Sequence, residues 1–401
     1  EGESEKREGG GESRERAMAS RKQASPNAKA PAAAPARDSS NFRARRLSLN
    51  DLDTTEFDRK SGGTPEASHR GRQRRLSMSP EMGVRPPAPP FPFEIVGTYS
   101  CHGVEPGLRQ GETSAKINQD RGCICYPFGA SDSEMTQALF CVFDGHGACG
   151  DKVSHYAMNN IQEKLENHPQ LMSDPASALK DVFLSVDSQL RKDPSIDAEL
   201  SGTTAVVCLM RWMKGGKGKA WVANAGDSRA VLGVKENGRL KAVPLSQDQK
   251  PDTPAEYKRI MKSGGFVSPP ENEWGGPARV WLDANMTLPG LAMARSIGDH
   301  LVGAIGVIAE PEVVEMDIDP ATDPSKDGPQ FLVMASDGVW EFIDSPEAID
   351  LLQAANVTRS ATEAVTKLIE TAAQKWREEE GDYRDDITAV CVNVTELFKR
   401  G

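Results

Sequence analysis

Residues 137–147 read Gln-Ala-Leu-Phe-Cys-Val-Phe-Asp-Gly-His-Gly. An apolar run over 137–143 ends directly in Asp144-Gly145-His146-Gly147. A short, continuous apolar run of this kind is typical of a strand buried in the interior. A glycine directly after the aspartate lets the backbone approach a ligand closely. The stretch therefore predicts a buried strand that ends in a carboxylate.

Two further segments have the same design. The apolar run 331–335 leads into Ser336-Asp337-Gly338, and Arg384-Asp385-Asp386 leads into the apolar run 387–392. Carboxylates at the ends of several core strands would repel one another if they converged, and a divalent cation would remove that repulsion. Ligand sets made only of oxygen select hard ions such as Mg²⁺ or Mn²⁺ over zinc. The three segments together point to a site for such ions.

Taken singly, each segment has a simpler interpretation. Asp-Gly after a strand is usually a turn, and Asp337 could also cap a short helix. Asp385-Asp386 alone is typical of a solvated loop. Only the order, spacing and flanking residues of the segments, taken together, favour a metal site.

Composition excludes several classes of protein. The chain has 401 residues and a net charge of −11, which argues against nucleic-acid binding through bulk positive charge. No run of 18 apolar residues occurs, so the sequence predicts no membrane span. The seven cysteines form no CxxC pair and several lie in apolar runs, which favours buried thiols in a reducing compartment, the cytoplasm or the nucleus. The Ala-, Ser- and Arg-rich stretch 14–37 is a weak signal of a targeting peptide, which leaves that possibility open.

The chain divides near residue 90. Residues 1–90 are basic, rich in Ser, Arg and Pro, and have almost no apolar periodicity, so we expect a disordered extension that ends in a polyproline-like spacer at 86–90. Residues 91–401 form the predicted folded domain and carry the negative charge. Strands are predicted at 94–100, 120–126, 137–143, 203–210, 219–224, 229–234, 313–318, 330–335 and 387–394. Helices are predicted at 150–167, 175–191, 254–263, 345–355 and 360–379.

The order of these elements favours an α+β domain. Many of the strands are separated by tight turns, whereas a doubly wound parallel sheet needs a helix between successive strands. The helix at 254 has Thr253 as its cap and Pro254 at its first position, and Ser345-Pro346-Glu347 is expected to open the next helix in the same way.

Seven motifs occur in the order of one enzyme family. The segments are Asn118-Gln119-Asp120, Val142-Phe143-Asp144-Gly145-His146-Gly147, Ser201-Gly202-Thr203-Thr204, Ala223-Asn224-Ala225-Gly226-Asp227-Ser228-Arg229, Ala294-Arg295-Ser296-Ile297-Gly298-Asp299, Ala335-Ser336-Asp337-Gly338 and Arg384-Asp385-Asp386-Ile387-Thr388. From Ile95 to about Val394 the chain resembles the metal-dependent protein serine/threonine phosphatases of the PP2C (PPM) family. The resemblance implies an αββα sandwich, two mixed or antiparallel sheets covered by helices, and a monomer.

The same resemblance implies a set of metal ligands for two Mg²⁺ or Mn²⁺ ions and a third, weaker one. Asp144 matches the carboxylate that bridges two metals, with the Gly145 carbonyl on one of them. Asp337 and Asp385 match ligands of one metal, and Asp120, preceded by Gln119, matches the acidic pair near the other. Many members have Glu where Gln119 stands. Asp227 and Glu341 match the positions that help to hold the third ion, although Asp is commoner than Glu at the latter.

The mechanism that the resemblance implies is hydrolysis of phosphoserine or phosphothreonine in proteins by a metal-bridged hydroxide, without a phosphoenzyme. His146, beside the ligands, is the expected general acid for the leaving alkoxide. Lys116, four residues before Asp120, is the nearest cation that could bind the phosphate. Asp386 stands where Asn is common, a change expected to be conservative. Arg295 and Asp299 are expected to form an internal pair, and residues 264–290 correspond to the variable flap over the cleft.

A second hypothesis is a catalytically inactive pseudophosphatase that serves as a binding module. It predicts the loss of one or more metal carboxylates, whereas Asp144, Asp337 and Asp385 are all present. The enzyme is therefore the preferred interpretation.

The extension carries two similar motifs, Arg43-Ala44-Arg45-Arg46-Leu47-Ser48 and Arg72-Gln73-Arg74-Arg75-Leu76-Ser77. Both resemble sites for a basophilic kinase. We expect Ser48 and Ser77 to be regulatory phosphorylation sites, since phosphate groups would offset the positive charge of the extension. The alternative is a solvated basic arm with accidental matches.

Overall fold

Two antiparallel sheets form the centre of the structure. The computed structural model describes residues 74–76, for which only the backbone is considered, and 91–92, 94–107, 113–129, 134–214, 216–270, 276–319 and 325–399. The strands in these ranges are β1 (Arg74–Leu76), β2 (Val96–Cys101), β3 (Val104–Pro106), β4 (Thr113–Ala115), β5 (Arg121–Tyr126), β6 (Met135–Phe143), β7 (Gly145–His146), β8 (Gly202–Thr203), β9 (Ala205–Met213), β10 (Gly218–Ala225), β11 (Arg229–Glu236), β12 (Arg239–Pro244), β13 (Phe266–Ser268), β14 (Arg279–Trp281), β15 (Pro289–Leu291), β16 (Ile297–Gly298), β17 (Glu312–Ile318), β18 (Gly328–Ala335) and β19 (Ile387–Asn393).

The helices in the same ranges are α1 (Gly150–Glu166), α2 (Pro175–Leu190), α3 (Pro254–Lys262), α4 (His300–Gly303), α5 (Asp337–Trp340), α6 (Ser345–Ala354), α7 (Ala361–Glu380) and α8 (Val394–Phe398). No helix in the described part of the chain is long and apolar enough to cross a membrane.

The large sheets have six and five strands. Their orders are β1-β5-β6-β9-β10-β17 and β12-β11-β18-β19-β2, and every pairing within them is antiparallel. Consecutive strands β10 and β11 belong to different sheets, so the turn that contains Asp227 passes from one sheet to the other.

Alternation of side chains along the strands produces four layers. On β6, Phe140 and Val142 face the core between the two sheets, where they join Leu232 and Met334 of the other sheet. Their neighbours on β6 pack instead with α1 and α2. The opposite face of the five-stranded sheet packs with α6 and α7. The strands are therefore apolar on both faces, and the αββα sandwich implied by the sequence is confirmed.

The predicted strands and helices all occur, with bounds that differ by a few residues. One detail of the predicted helix starts is wrong: α6 is capped by Asp344, whose carboxylate accepts from the Glu347 N–H, while Ser345 is the first helical residue. Strand β12, the hairpin β3-β4, the short strands β7 and β16, and the small sheet β13-β14-β15 at the predicted flap were not predicted. Their exposed or short runs lack the apolar signal of the core strands.

Strand β1 falls inside the segment predicted as disordered. Its backbone pairs antiparallel with β5, with Arg75 opposite Cys125. The three residues Arg74-Arg75-Leu76 are too few and too polar to predict a strand from sequence. The strand depends on pairing with the open edge of β5. Both predicted phosphorylation sites, Ser48 and Ser77, lie outside the described residues.

All seven cysteines are free thiols, and Cys123, Cys125, Cys141, Cys208 and Cys391 are buried. The prediction of buried thiols in place of a disulfide framework is confirmed.

Candidate active site

Acidic residues meet at one end of the sandwich because the strands that carry them begin or end there. Asp144 follows β6 and Asp120 precedes the neighbouring β5, where Arg121 lies opposite Phe143. In the other sheet, Asp337 follows β18 and Asp385 precedes β19, where Ala335 lies opposite Ala389. The turn from β10 to β11 adds Asp227 at the same end, since Arg229 lies opposite Ala335.

The electrostatics show that these carboxylates are close together. Burial raises the pKa of Asp144 well above its usual range, and repulsion from Asp120, Asp337, Asp385 and Asp227 raises it further. Burial, followed by repulsion from Asp227 and Asp385, raises the pKa of Asp337 to about 7. The sequence-predicted ligands on five separate segments therefore share one site.

Two of the carboxylates have an oxygen without a partner. Asp120 and Asp227 are each 1% exposed. Asp120 accepts a hydrogen bond from the Ser336 hydroxyl through Oδ2, whereas its Oδ1, like Oδ1 of Asp227, is buried without a hydrogen-bond partner among the described residues. Unpaired buried carboxylate oxygens are costly. A divalent cation with oxygen ligands would satisfy them, so the residues fit the ions that the sequence predicts.

The carboxylates line the site, but they do not surround a single point as the ligands of one metal ion would. Across the described ranges, no group of three or more His, Cys, Asp or Glu side chains has the compact arrangement of a finished metal-ligand shell.

Position 145 requires glycine because two other backbone segments approach it closely. A Cβ atom there would lie 2.4 Å from the Gly150 carbonyl oxygen and 2.7 Å from that of Gln119. Only glycine fits between these backbone segments. The tight packing fixes the backbone that links Asp144 to His146.

The Gln119 side chain makes a structural hydrogen bond. Its side-chain Nε2 donates to the Gly147 carbonyl over 2.8 Å. A glutamate could not donate this hydrogen bond. The amide therefore holds the loop after His146, and Asp120 is the member of the predicted pair whose carboxylate belongs to the acidic cluster.

Asp386 is not a conservative replacement for an amide. Its Oδ1 accepts from the Gly103 N–H at 2.5 Å, and its Oδ2 accepts from the Gln119 N–H at 2.7 Å. An asparagine has one oxygen acceptor and could satisfy only one of the two. The carboxylate fastens two loops beside the site.

Lys116 forms an ion pair with Asp385, a predicted metal ligand. Its ammonium donates to Asp385 Oδ1 over 2.8 Å and lies 5.2 Å from the centre of the Tyr383 ring. Although burial alone would lower the pKa of Lys116, the Asp385 carboxylate raises it. The Asp385 carboxylate therefore favours the charged form of Lys116 beside the acidic cluster. Glu341 lies one turn after Asp337, at the end of α5, and is exposed.

His146 contacts Asp299, a residue that the sequence analysis paired with Arg295. Its Nε2 lies 2.7 Å from Asp299 Oδ2. Burial would lower the pKa of His146, but the Asp299 carboxylate raises it. The predicted Arg295–Asp299 pair is wrong, because Arg295 binds Glu256 at 2.7 Å and Glu312 at 3.2 Å.

Lys250 is a further site residue that the sequence did not predict. Its ammonium lies 2.5 Å from Asp227 Oδ2. Burial alone would lower the pKa of Lys250, yet Asp227 and then Asp337 raise it. No periodicity or spacing signals this contact, because Lys250 lies in the loop between β12 and α3.

Comparison with known proteins agrees with this geometry. The family model described as Protein phosphatase 2C matches residues 107–381. The chain belongs to the protein phosphatase 2C family. It is 33% identical over 361 residues to Probable protein phosphatase 2C 35 of Arabidopsis thaliana, an alignment that covers 86% of this chain and 95% of the relative. It is 37% identical over 285 residues to Probable protein phosphatase 2C 64 of Oryza sativa subsp. japonica, covering 69% of this chain and 62% of the relative.

Solved structures share the fold. A serine-threonine phosphatase 2C from Toxoplasma gondii has a TM-score of 0.60 at 20% identity and covers 80% of this chain and 99% of its own. A sex determining protein of C. elegans has a TM-score of 0.54 at 21% identity, with 76% and 67% covered. At these identities the likeness is one of fold. Membership of the protein phosphatase 2C family makes the chain a protein serine/threonine phosphatase, in a family that depends on divalent metal.

Proposed function

We propose that this protein hydrolyses phosphoserine and phosphothreonine in protein substrates with the help of two bound divalent cations. The observation that carries the proposal is the meeting of five aspartates from both sheets at one end of the sandwich, with Asp120 Oδ1 and Asp227 Oδ1 buried and unpaired. An acidic cluster of this kind, without cations, serves no folding purpose, because its members repel one another.

The cations proposed are Mg²⁺ or Mn²⁺, since every candidate ligand is an oxygen atom. The residues that would hold two of them are Asp144, the Gly145 carbonyl, Asp337, Asp385 and Asp120. Asp227, with Glu341, would support a third and weaker ion. In this arrangement Asp227 is shared with Lys250, whose ammonium already offsets part of its charge.

When bound, a pair of such ions lowers the pKa of a water molecule and offsets the charge of the phosphoryl oxygens. Lys116 stands beside Asp385 and would bind a phosphoryl oxygen as a point charge. The serine or threonine alkoxide that leaves is a strong base and needs a proton as the P–O bond breaks. His146, next in sequence to the ligand Gly145, would donate it.

Substrates would enter over the flap, where β13, β14 and β15 pack with α3 around Ile260 and Val280. The proposal extends to the remaining predictions for the chain: phosphorylation of Ser48 and Ser77 by a basophilic kinase, a monomeric state and a reducing compartment. The kinase sites and the compartment rest on sequence patterns, and the monomeric state rests on the family resemblance.

Release of phosphate from a phosphothreonine peptide by the full chain tests the proposed function. We expect turnover with Mn²⁺ or Mg²⁺ and its loss with a chelator, restored by added metal. A chain that binds the phosphopeptide without turnover in any metal would instead support the pseudophosphatase.

A further inference from the structure

Asp299 is buried, and its side chain is directed at His146. The carboxylate is 4% exposed and its Oδ2 lies 2.7 Å from His146 Nε2. The Ser296 hydroxyl donates to the same oxygen at 2.5 Å. The other ring nitrogen, His146 Nδ1, is buried and has no hydrogen-bond partner in the part of the chain that the structure describes. One nitrogen of the imidazole is thus held by Asp299, and the other keeps its hydrogen-bonding capacity unused.

The backbone at Asp299 is arranged for this contact. Asp299 has a left-handed conformation with φ 49°, which a non-glycine residue rarely adopts. It stands at the N-terminus of α4, yet its carboxylate makes no capping hydrogen bond to that helix. The ordinary structural use of an aspartate at this position is a cap. Here the side chain turns away from the helix and towards the histidine.

Gly202, which has no side chain, leaves room for the His146–Asp299 pair. A Cβ atom at Gly202 would lie 2.1 Å from Asp299 Oδ2 and 2.7 Å from His146 Nε2. The Asp299 N–H donates to the Ser201 carbonyl over 3.0 Å, which holds the loop against β8. A second carboxylate, Asp187, supports the same loop from outside by accepting from the Gly298 N–H and lying 3.0 Å from His300 Nε2.

We propose that Asp299 is the positioning residue for His146 in the phosphatase reaction, with Ser296 holding the carboxylate. This inference rests on the proposed function. Asp299 accepts the Nε2 proton of His146 in a hydrogen bond and so directs Nδ1–H at the leaving oxygen. As the water oxygen bonds to phosphorus, the P–O bond to serine breaks, its electron pair goes to the serine oxygen, and the Nδ1 proton moves to that oxygen. Asp299 keeps its hydrogen bond to Nε2 throughout, and solvent returns a proton to the imidazole.

The chemistry predicts a dependence on the leaving group. A serine alkoxide needs the proton, whereas a nitrophenolate leaves without one. Asp299→Asn should lower kcat on a phosphoserine peptide by about 100-fold or more, with a much smaller change in KM. The loss on p-nitrophenyl phosphate should be at least about tenfold smaller. Ser296→Ala, a milder change, should show the same direction with a smaller effect.

The matched control is Asp187→Asn, which loosens the same loop without touching His146. It should lower both rates by the same factor. Equal losses on the two substrates in Asp299→Asn, or no loss on either, would overturn the proposal.

A readout independent of turnover separates this inference from the proposed function. In ¹⁵N-edited NMR of the full chain, the His146 Nε2–H proton should be strongly deshielded in the parent and in Asp187→Asn, and shifted in Asp299→Asn. An unchanged signal in Asp299→Asn would contradict the pairing. Absence of metal-dependent phosphate release in the parent chain would count against the proposed function and leave the NMR result to decide the His146–Asp299 contact.

Discussion

Lys250 Nζ and Asp227 Oδ2 lie 2.5 Å apart at the edge of the acidic cluster, where the lysine side chain is 31% exposed and the aspartate 1%. The ammonium is the main partner of a carboxylate that solvent barely reaches. Asp227 also raises the pKa of Asp337, so its charge is felt across the site. Lys250 therefore stabilises the cluster in the absence of metal.

Replacing Lys250 by Met should destabilise the metal-free protein by roughly 3 kcal/mol, because Asp227 is left buried and unpaired. Saturating Mn²⁺ should recover much of the loss, since a cation then offsets the same charge. Denaturant unfolding with a chelator and with Mn²⁺ measures both values. Lys241→Met is the matched control, because the Lys241–Glu236 pair is exposed and worth less than about 1 kcal/mol. Equal effects of the two substitutions would contradict the assignment.

Lys116 is expected to contribute to phosphate binding through its charge. Lys116→Met should lower kcat/KM for a phosphopeptide by about 10- to 100-fold, the range expected for the loss of a hydrogen bond to a charged group. Lys116→Arg keeps the charge and should retain more of the activity. Steady-state kinetics checks both, with Lys367→Met, in an exposed surface pair, as the control. Normal kcat/KM in Lys116→Met would show that another group binds the phosphate.

Metal affinity should depend on pH through Asp337. Its pKa of about 7 means that the carboxyl holds a proton in neutral or acidic solution when no metal is present. A metal ion must displace that proton, so apparent Mn²⁺ affinity should rise by about tenfold or more per pH unit below pH 7, because the raised pKa of Asp144 adds to the effect. Mn²⁺ titration of the chelator-treated protein between pH 5.5 and 8.5 measures this. An affinity independent of pH would be inconsistent with a protonated Asp337.

The same pKa has a consequence for stability. Because the folded pKa is raised above the unfolded value of about 4, the stabilisation by protonation is fully present below that value. It is lost as the pH rises through about 7. The metal-free protein should therefore become less stable across this window, and bound Mn²⁺ should reduce the change.

Asp386→Asn should be more harmful than the similarity of the two side chains suggests. The amide can accept from only one of the Gly103 and Gln119 N–H groups. Leaving the other unsatisfied should cost about 1–3 kcal/mol of unfolding free energy. Thermal unfolding is the measurement, with Asp382→Asn on an exposed turn as the control. An unchanged midpoint in Asp386→Asn would show that the two N–H groups find other partners.

The core strands and the main carboxylates were predictable because their signals are local. The run 137–143 is apolar on every residue after Gln137, and Asp144 directly follows it, so both the buried strand and the position of its carboxylate are contained in eleven consecutive residues. The family order of the motifs then placed Asp337 and Asp385 at the same end.

The partners of these residues could not be predicted, since they depend on tertiary contacts. His146 and Asp299 are 153 residues apart in sequence, and Lys250 and Asp227 are 23 apart, separated by the β11–β12 hairpin. From the sequence, an internal pair between Arg295 and Asp299 is expected. The left-handed backbone at Asp299 directs its carboxylate elsewhere, and Glu256 on α3 takes the arginine.

The most direct test of metal-dependent catalysis by the aspartate cluster compares the parent chain with Asp144→Asn. The measurement is phosphate release from a phosphothreonine peptide in saturating Mn²⁺, with thermal unfolding of the chelator-treated proteins recorded in parallel. We expect Asp144→Asn to lose at least about 100-fold in kcat. Its metal-free fold should be as stable as the parent or more so, since one repelling charge is removed. Near-normal turnover in Asp144→Asn would contradict the account.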